Sequence, residues 1–157
     1  MTMTYSRVPV YSLKLIKERG LRYPLSKIDN HNNATSALRA YLQDKDCEHL
    51  AVLMVDGQNN FLGLTTVAIG GISGLKAGVR DVFKAAIAGR ASAIILGHNH
   101  PSGDPSPSLE DIMFTKKIQE GSEVLGIPLL DHIIISSGMN LDNFSFLVNG
   151  LLITDPS

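Results

Sequence analysis

Cysteine is nearly absent from this 157-residue chain. Cys47 stands alone, so no disulfide can form within the chain and no thiolate-rich zinc finger can be built. Aromatic residues are scarce at 6% and do not interleave with basic ones, which argues against tight, direct DNA binding. No apolar run approaches the roughly 20 residues of a membrane span. The N-terminus MTMTYSRVPVYSLKLIKERG lacks the apolar core and small-residue cleavage site of a secretory signal. These absences point to the cytoplasm. Charge of one sign is lacking too: the net value is −1, which gives no overall attraction to nucleic acid.

What is present suits one globular domain with one sizeable core: 44% apolar residues and 18% charged, without repeats or low-complexity tracts. Residues 1–33 read as an N-terminal extension and 34–157 as the folded domain. Within residues 1–30, six basic side chains (Arg7, Lys14, Lys17, Arg19, Arg22, Lys27) face two acidic ones, Glu18 and Asp29. Such an arm is either a solvated tail or a weak contact for DNA phosphates or a partner's acidic surface.

A first helix is expected over 34–44, with Leu38, Tyr41 and Leu42 on one face. The apolar run Leu50 to Val55 reads as a buried strand, and the turn at 56–60 folds it onto a second strand near 61–69 as an antiparallel hairpin. Val79, Val82, Phe83, Ala86 and Ile87 have helical spacing, stopped by Gly89. Ala93 to Leu96 forms the next strand and runs straight into Gly97-His98-Asn99-His100-Pro101. A Pro/Gly-rich loop and a helix over about 109–124 follow. Ile133 to Ile135 and a segment near 144–153 are further strand candidates. The fold class is α/β: a mixed central sheet with hairpins, flanked by about three helices.

The residues that carry chemistry lie between 94 and 111. His98 and His100, two apart in extended chain, project to the same side with Cα atoms roughly 6–7 Å apart. Asp111 opens the following helix, where the loop can return it to the histidines. Two imidazoles and one carboxylate suit zinc, leaving a fourth position open as in catalytic rather than structural sites. Local explanations stand beside this one. A His-x-His is often a pair of surface histidines, and Ser108-Leu109-Glu110-Asp111 reads as a capping box in its own right.

The string His98-Asn99-His100-Pro101, then Ser108 and Asp111, resembles the H-x-H-P-x6-S-x2-D core of the JAMM (MPN+) metalloproteases. HNHPSGDPSPSLEDI with Thr115, LLDHIII at 129–135 and GVRDVFKAAIAGRASAIILG resemble the RadC family in particular, over roughly residues 34–150. The resemblance implies a JAB/MPN-like, cytidine-deaminase-like layered architecture and one zinc ion per chain on His98, His100 and Asp111. It implies Ser108 as a helper at the oxyanion or the attacking water, and Glu48, just before the first strand, as general base. Asn99 stands where many JAMM proteases carry Ser or Thr, as in RadC-type sequences. Val79-Arg80-Asp81 replaces the family's common Pro-Arg-Glu, at the expected cost of a cap or a charge contact. Residues 1–33 are too short for the helix-hairpin-helix region of full-length RadC proteins, so the chain reads as a stand-alone catalytic-type domain.

By this resemblance the expected function is zinc-dependent hydrolysis of a peptide or isopeptide bond in a protein or peptide substrate, in a family linked to DNA repair. The alternative is a non-catalytic repair or recombination accessory module that binds protein or DNA. A two-metal nuclease would want more convergent carboxylates than Asp104, Glu110 and Asp111 offer. Asp131-His132 is either a polar strand end or a pair in which Asp131 supports a ligand histidine from behind. His31 and His49 are expected to be surface residues, and Cys47, between Asp46 and Glu48, to be a poor nucleophile. Gly70, Gly71 and Gly74 lack the context of a phosphate loop.

Overall fold

The computed structural model describes residues 9–12, 15–18, 20–21, 23–24, 27–70, 77–137 and 141–152. Arg7, Lys14, Arg19, Arg22, Gly71 and Gly74 fall outside them, as does the end of the segment 144–153. The described elements run α1 (His31–Leu42), β1 (His49–Val55), β2 (Phe61–Ile69), α2 (Val79–Ala88), β3 (Ala93–His100), α3 (Leu109–Leu125), β4 (Leu129–Ser136) and β5 (Asn143–Ser145). The five strands form one mixed sheet in the order β2-β1-β3-β4-β5. Only β3 and β4 are parallel, joined across α3; the β1–β2, β1–β3 and β4–β5 pairs are antiparallel.

Strand alternation sorts the side chains into two cores. Leu50, Val52, Met54, Ile94, Leu96 and Ile134 pack with Val82 and Phe83 of α2 and Phe114 and Ile118 of α3. Ala51, Leu53, Val55, Ile95, Ile133 and Ile135 pack with Ala34, Leu38 and Leu42 of α1. The sheet is thus the middle of three layers, and the even-numbered positions of β1 and β3 look toward α2 and α3. Gly97 allows the α1 layer to close on β3, because a Cβ there would lie 2.4 Å from Leu38 Cδ2.

Helix boundaries follow their caps. The α1 helix begins three residues before the sequence-based expectation, because Asn30 caps it by accepting from Asn33 N–H at 2.9 Å. The end of the polar run, from His31, is therefore the first turn of a helix capped by Asn30 rather than part of an extension. Asp81 caps α2 by accepting from the Gly78 N–H at 2.9 Å, so its difference from the family's glutamate leaves the cap in place. In α2, Val82, Phe83 and Ala86 are buried but Ile87 is 56% exposed, so the apolar face is narrower than its spacing implied. The segment near 144–153 is mostly turn: β5 ends at Ser145, and a turn over 146–150 follows, closed by Leu151 N–H to the Phe146 carbonyl.

Candidate metal centre

The strand β3 extends to His100, further than the apolar run alone suggests, because β4 pairs with it through His100–Ser136. His98 and His100 therefore share one pleated face at the end of a central strand, the face covered by α3. Their Nε2 atoms are 2.9 Å apart. Asp111, in the first turn of α3, brings Oδ1 to 3.4 Å from His98 Nε2 and Oδ2 to 3.7 Å from His100 Nε2. His98 and Asp111 are buried and His100 is nearly so.

The donor set fits a metal ion. Three ligands held at 2.0–2.1 Å by a tetrahedral ion stand roughly 3.3 Å from one another. One ligand atom from each of these side chains lies within 4.8 Å of the others, so small side-chain shifts would close the set on an ion. His100 Nδ1–H donates to the Asp104 carbonyl at 2.7 Å, which leaves its Nε2 as a lone pair facing the cluster in the neutral ring. Ser108 N–H and Oγ–H both donate to Asp111 Oδ2, at 2.8 and 2.7 Å, while Asp111 N–H donates back to Ser108 Oγ. The capping box thus occurs as read, and it orients the carboxylate with Oδ1 toward His98. Among the described residues this is the one group of three His, Cys, Asp or Glu side chains placed to hold a metal ion.

Burial dominates the electrostatics. It pushes His98 down to about 4, with His100 adding to the fall and Asp111 opposing it. His132 is lowered well below its ordinary value, first by burial and then by His98 and His100. Both rings are therefore neutral near pH 7, the state a metal requires of imidazole.

Glu48 is half-buried, and its carbonyl accepts from Gly70 N–H at 2.7 Å. The β1–β3 register runs as far as Leu50–His98, and Glu48 stands two residues before Leu50, just outside β1. Asn99, between the two histidines, brackets Glu48. Its Oδ1 accepts from His49 N–H at 2.8 Å, and its Nδ2 donates to the Cys47 carbonyl at 3.0 Å. Asn99 was noted in the sequence only as a departure from Ser or Thr.

Three expectations are corrected. Asp131 does not support a ligand histidine: its oxygens accept from His132 N–H, Leu147 N–H and Ser145 Oγ–H, and it looks toward α1. The contact to His98 comes from the next residue, His132, whose Nε2 lies 2.8 Å from His98 Nδ1. His31 is half-buried rather than a surface residue: its Nε2 lies 3.3 Å from Thr35 Oγ1, and its Nδ1, 3.5 Å from Asp131 Oδ2, makes no hydrogen bond among the described residues. His49 is buried, its Nδ1–H donating to the Cys47 carbonyl. The Cys47 thiol is raised by desolvation and by Asp46 and Glu48, in keeping with a poor nucleophile. The sequence signal for His132 was its place in an apolar strand, one residue out of phase with Asp131.

A mixed five-stranded sheet between helical layers, with a His-x-His at the end of a central strand and a carboxylate opening the next helix, defines an α/β domain with a candidate mononuclear metal centre. The RadC-like JAB domain family matches residues 28–151, and the chain belongs to this family. It is similar to the UPF0758 protein of Methanococcoides burtonii, 42% identical over 115 residues, covering 73% of this chain and 50% of that one. The UPF0758 protein of Methanosarcina mazei is 38% identical over 129 residues, 82% of this chain and 56% of its own. That of Desulforamulus reducens is 47% identical over 94 residues, 60% and 41% respectively. The chain spans about half the length of the curated relatives it matches. No helix among the described residues is long and apolar enough to cross a membrane.

Proposed function

We propose that this domain is a zinc-dependent hydrolase of the JAMM type, cleaving an amide bond of a peptide or isopeptide substrate. The observation that carries the reading is the convergence of His98, His100 and Asp111, with Glu48 just before β1, the strand that pairs with β3. A zinc ion held by these three side chains supplies Lewis acidity, bringing water's pKa toward neutrality and polarising a carbonyl.

The chain's own residues do the rest. Glu48 takes a proton from the attacking water and passes it to the leaving amine. Asn99 keeps that glutamate at the strand end by holding the backbone on both sides of it. Ser108 fixes Asp111 through two hydrogen bonds, and its hydroxyl assists the oxyanion when it turns from the carboxylate to the substrate.

Metal content by mass spectrometry, on protein purified without added zinc, is the first test. One zinc per chain, lost in His98→Ala, is the expected result; no binding even when zinc is offered overturns the reading. With fluorogenic peptide and isopeptide probes, Glu48→Gln keeps its zinc and loses turnover by about 10²–10⁴-fold. Full activity in that variant removes Glu48 from the role.

A further inference from the structure

His132 is the most deeply buried histidine of the chain and belongs to no ligand set. Its ring stacks on Phe146, with centroids 4.7 Å apart and planes 14° from parallel, and joins a chain of short polar contacts. Thr115 Oγ1–H donates to the Asp111 carbonyl at 2.7 Å. A carbonyl can only accept, so the hydroxyl's one proton is committed there. His132 Nδ1 lies 2.6 Å from Thr115 Oγ1 and must therefore be the N–H that donates to it. A neutral ring with a proton on Nδ1 carries a lone pair on Nε2. That lone pair meets His98 Nδ1 at 2.8 Å, so His98 too is protonated on Nδ1. Its Nε2 lone pair faces the His100 Nε2 lone pair at 2.9 Å and Asp111 Oδ1 at 3.4 Å, a cluster of acceptors that a cation would join.

We propose that His132 and Thr115 are positioning residues that lock His98 in the tautomer able to bind a metal, before any metal arrives. The proposal rests on the reading of His98, His100 and Asp111 as ligands. A ligating imidazole commonly gives its second N–H to a carboxylate, carbonyl or water; here the acceptor is another imidazole. The relay starts at the main chain of Asp111 and ends at His98, so a single hydrogen-bonded path ties two ligands from different elements through β4. Running the path in reverse would take the Thr115 proton from the Asp111 carbonyl and put an N–H of His98 where the metal belongs.

Long-range proton–nitrogen NMR on the full chain, labelled in its histidines and stripped of metal, reads the tautomer directly. The expected spectrum has His98 and His132 protonated on Nδ1; a proton on His98 Nε2 overturns the proposal. Zinc affinity, measured by competition with a chromophoric chelator, gives the second readout. His132→Phe keeps the stack on Phe146 but removes the acceptor, and loses about 10–100-fold in affinity. His132→Gln returns a carbonyl oxygen and stays within about threefold of the parent, a rescue that a packing role would not produce. Thr115→Val releases the His132 tautomer and falls between the two. Unchanged affinity in both His132→Phe and Thr115→Val overturns the proposal. If His132→Phe does not fold, the parent's spectrum and the Thr115→Val affinity decide. A parent chain that binds no zinc yet shows His98 protonated on Nδ1 overturns the hydrolase reading and supports the relay.

Discussion

Asp111 and Asp131 are both buried carboxylates, 2% and 4% exposed, on opposite sides of one sheet. Asp131 looks toward α1 and is surrounded by donors: two backbone N–H groups and the Ser145 hydroxyl within 3.0 Å, with His31 at 3.5 Å. Among the described residues, Asp111 has hydrogen-bond donors on Oδ2 only, both from Ser108, while Oδ1 looks at a histidine nitrogen 3.4 Å away. A buried charge is tolerated when its lone pairs are satisfied. Asp131 meets that condition with the chain's own hydrogen bonds and ties β4 to the turn after β5. Asp111 meets it on one oxygen among the described residues, which leaves Oδ1 able to take a cation. Burial and residue type do not separate the two; the count of donors on each oxygen does.

The largest expected effect separates these carboxylates by exchange. Asp111→Asn weakens zinc binding by on the order of a thousandfold, more than loss of an outer hydrogen-bond partner costs, read by chelator competition. Its metal-free melting temperature changes little. Asp131→Asn does the reverse: zinc affinity holds, but the three hydrogen bonds to a charged acceptor are weakened. Stability falls by about 2–4 kcal/mol, which is roughly 5–15 °C in melting temperature for a chain of this size. Loss of zinc in Asp131→Asn, or retention in Asp111→Asn, breaks the comparison.

A smaller effect sharpens it by pH. His98 is pushed down to about 4 and His132 is lowered in the same direction, burial being the main cause for each. The unfolded chain, with ordinary histidines near 6.5, binds more protons than the folded one on the acid side. The stability these rings allow is whole above about pH 6.5 and is lost as pH falls toward 4. A metal-free sample should lose at least about 5 °C in melting temperature between pH 7 and 4.5, and His98→Asn should flatten part of that slope. A flat profile in the parent would mean that the α3 face does not hold its histidines neutral.

The smallest effect concerns Asn99, which faces neither a ligand nor Asp131. Asn99→Ala should leave zinc affinity within about threefold, because no ligand atom loses a partner. Turnover should fall about tenfold, as the backbone around Glu48 is no longer held and a small misplacement of a catalytic group is costly. Equal losses in affinity and turnover would move Asn99 from the general base to the metal.

Much of the framework was legible along the chain. Periodicity located α2, the Pro/Gly-rich loop and the Ser108 capping box marked the start of α3, the apolar runs located β1, β3 and β4, and Asp56 to Asn60 gave the antiparallel hairpin. These signals are local: side-chain period, turn residues and caps act within a few positions. The start of α1 was misplaced because Asn30 to Asn33 are equally at home in a loop and in a capped first turn. The strand read near 144–153 is real only at its start, where β5 pairs with β4; beyond Ser145 the apolar residues serve a turn that stacks Phe146 on His132.

Local order along the chain is enough to put His98 and His100 on one face, since strand geometry fixes the side chains of i and i+2, and to close the capping box between Ser108 and Asp111, since that contact spans three residues. Tertiary structure alone decided the rest of the centre. Whether Asp131 or His132 reaches His98 depends on the phase of β4 against β3, set by pairing across 34 residues of chain. Whether Asn99 brackets Glu48 depends on the β1–β3 register, across about 50 residues. A shift of one residue in either strand would turn every side chain to the other face. Which face meets α1 and which meets α3 is settled by packing on both sides of the sheet at once, and no local pattern carries that information.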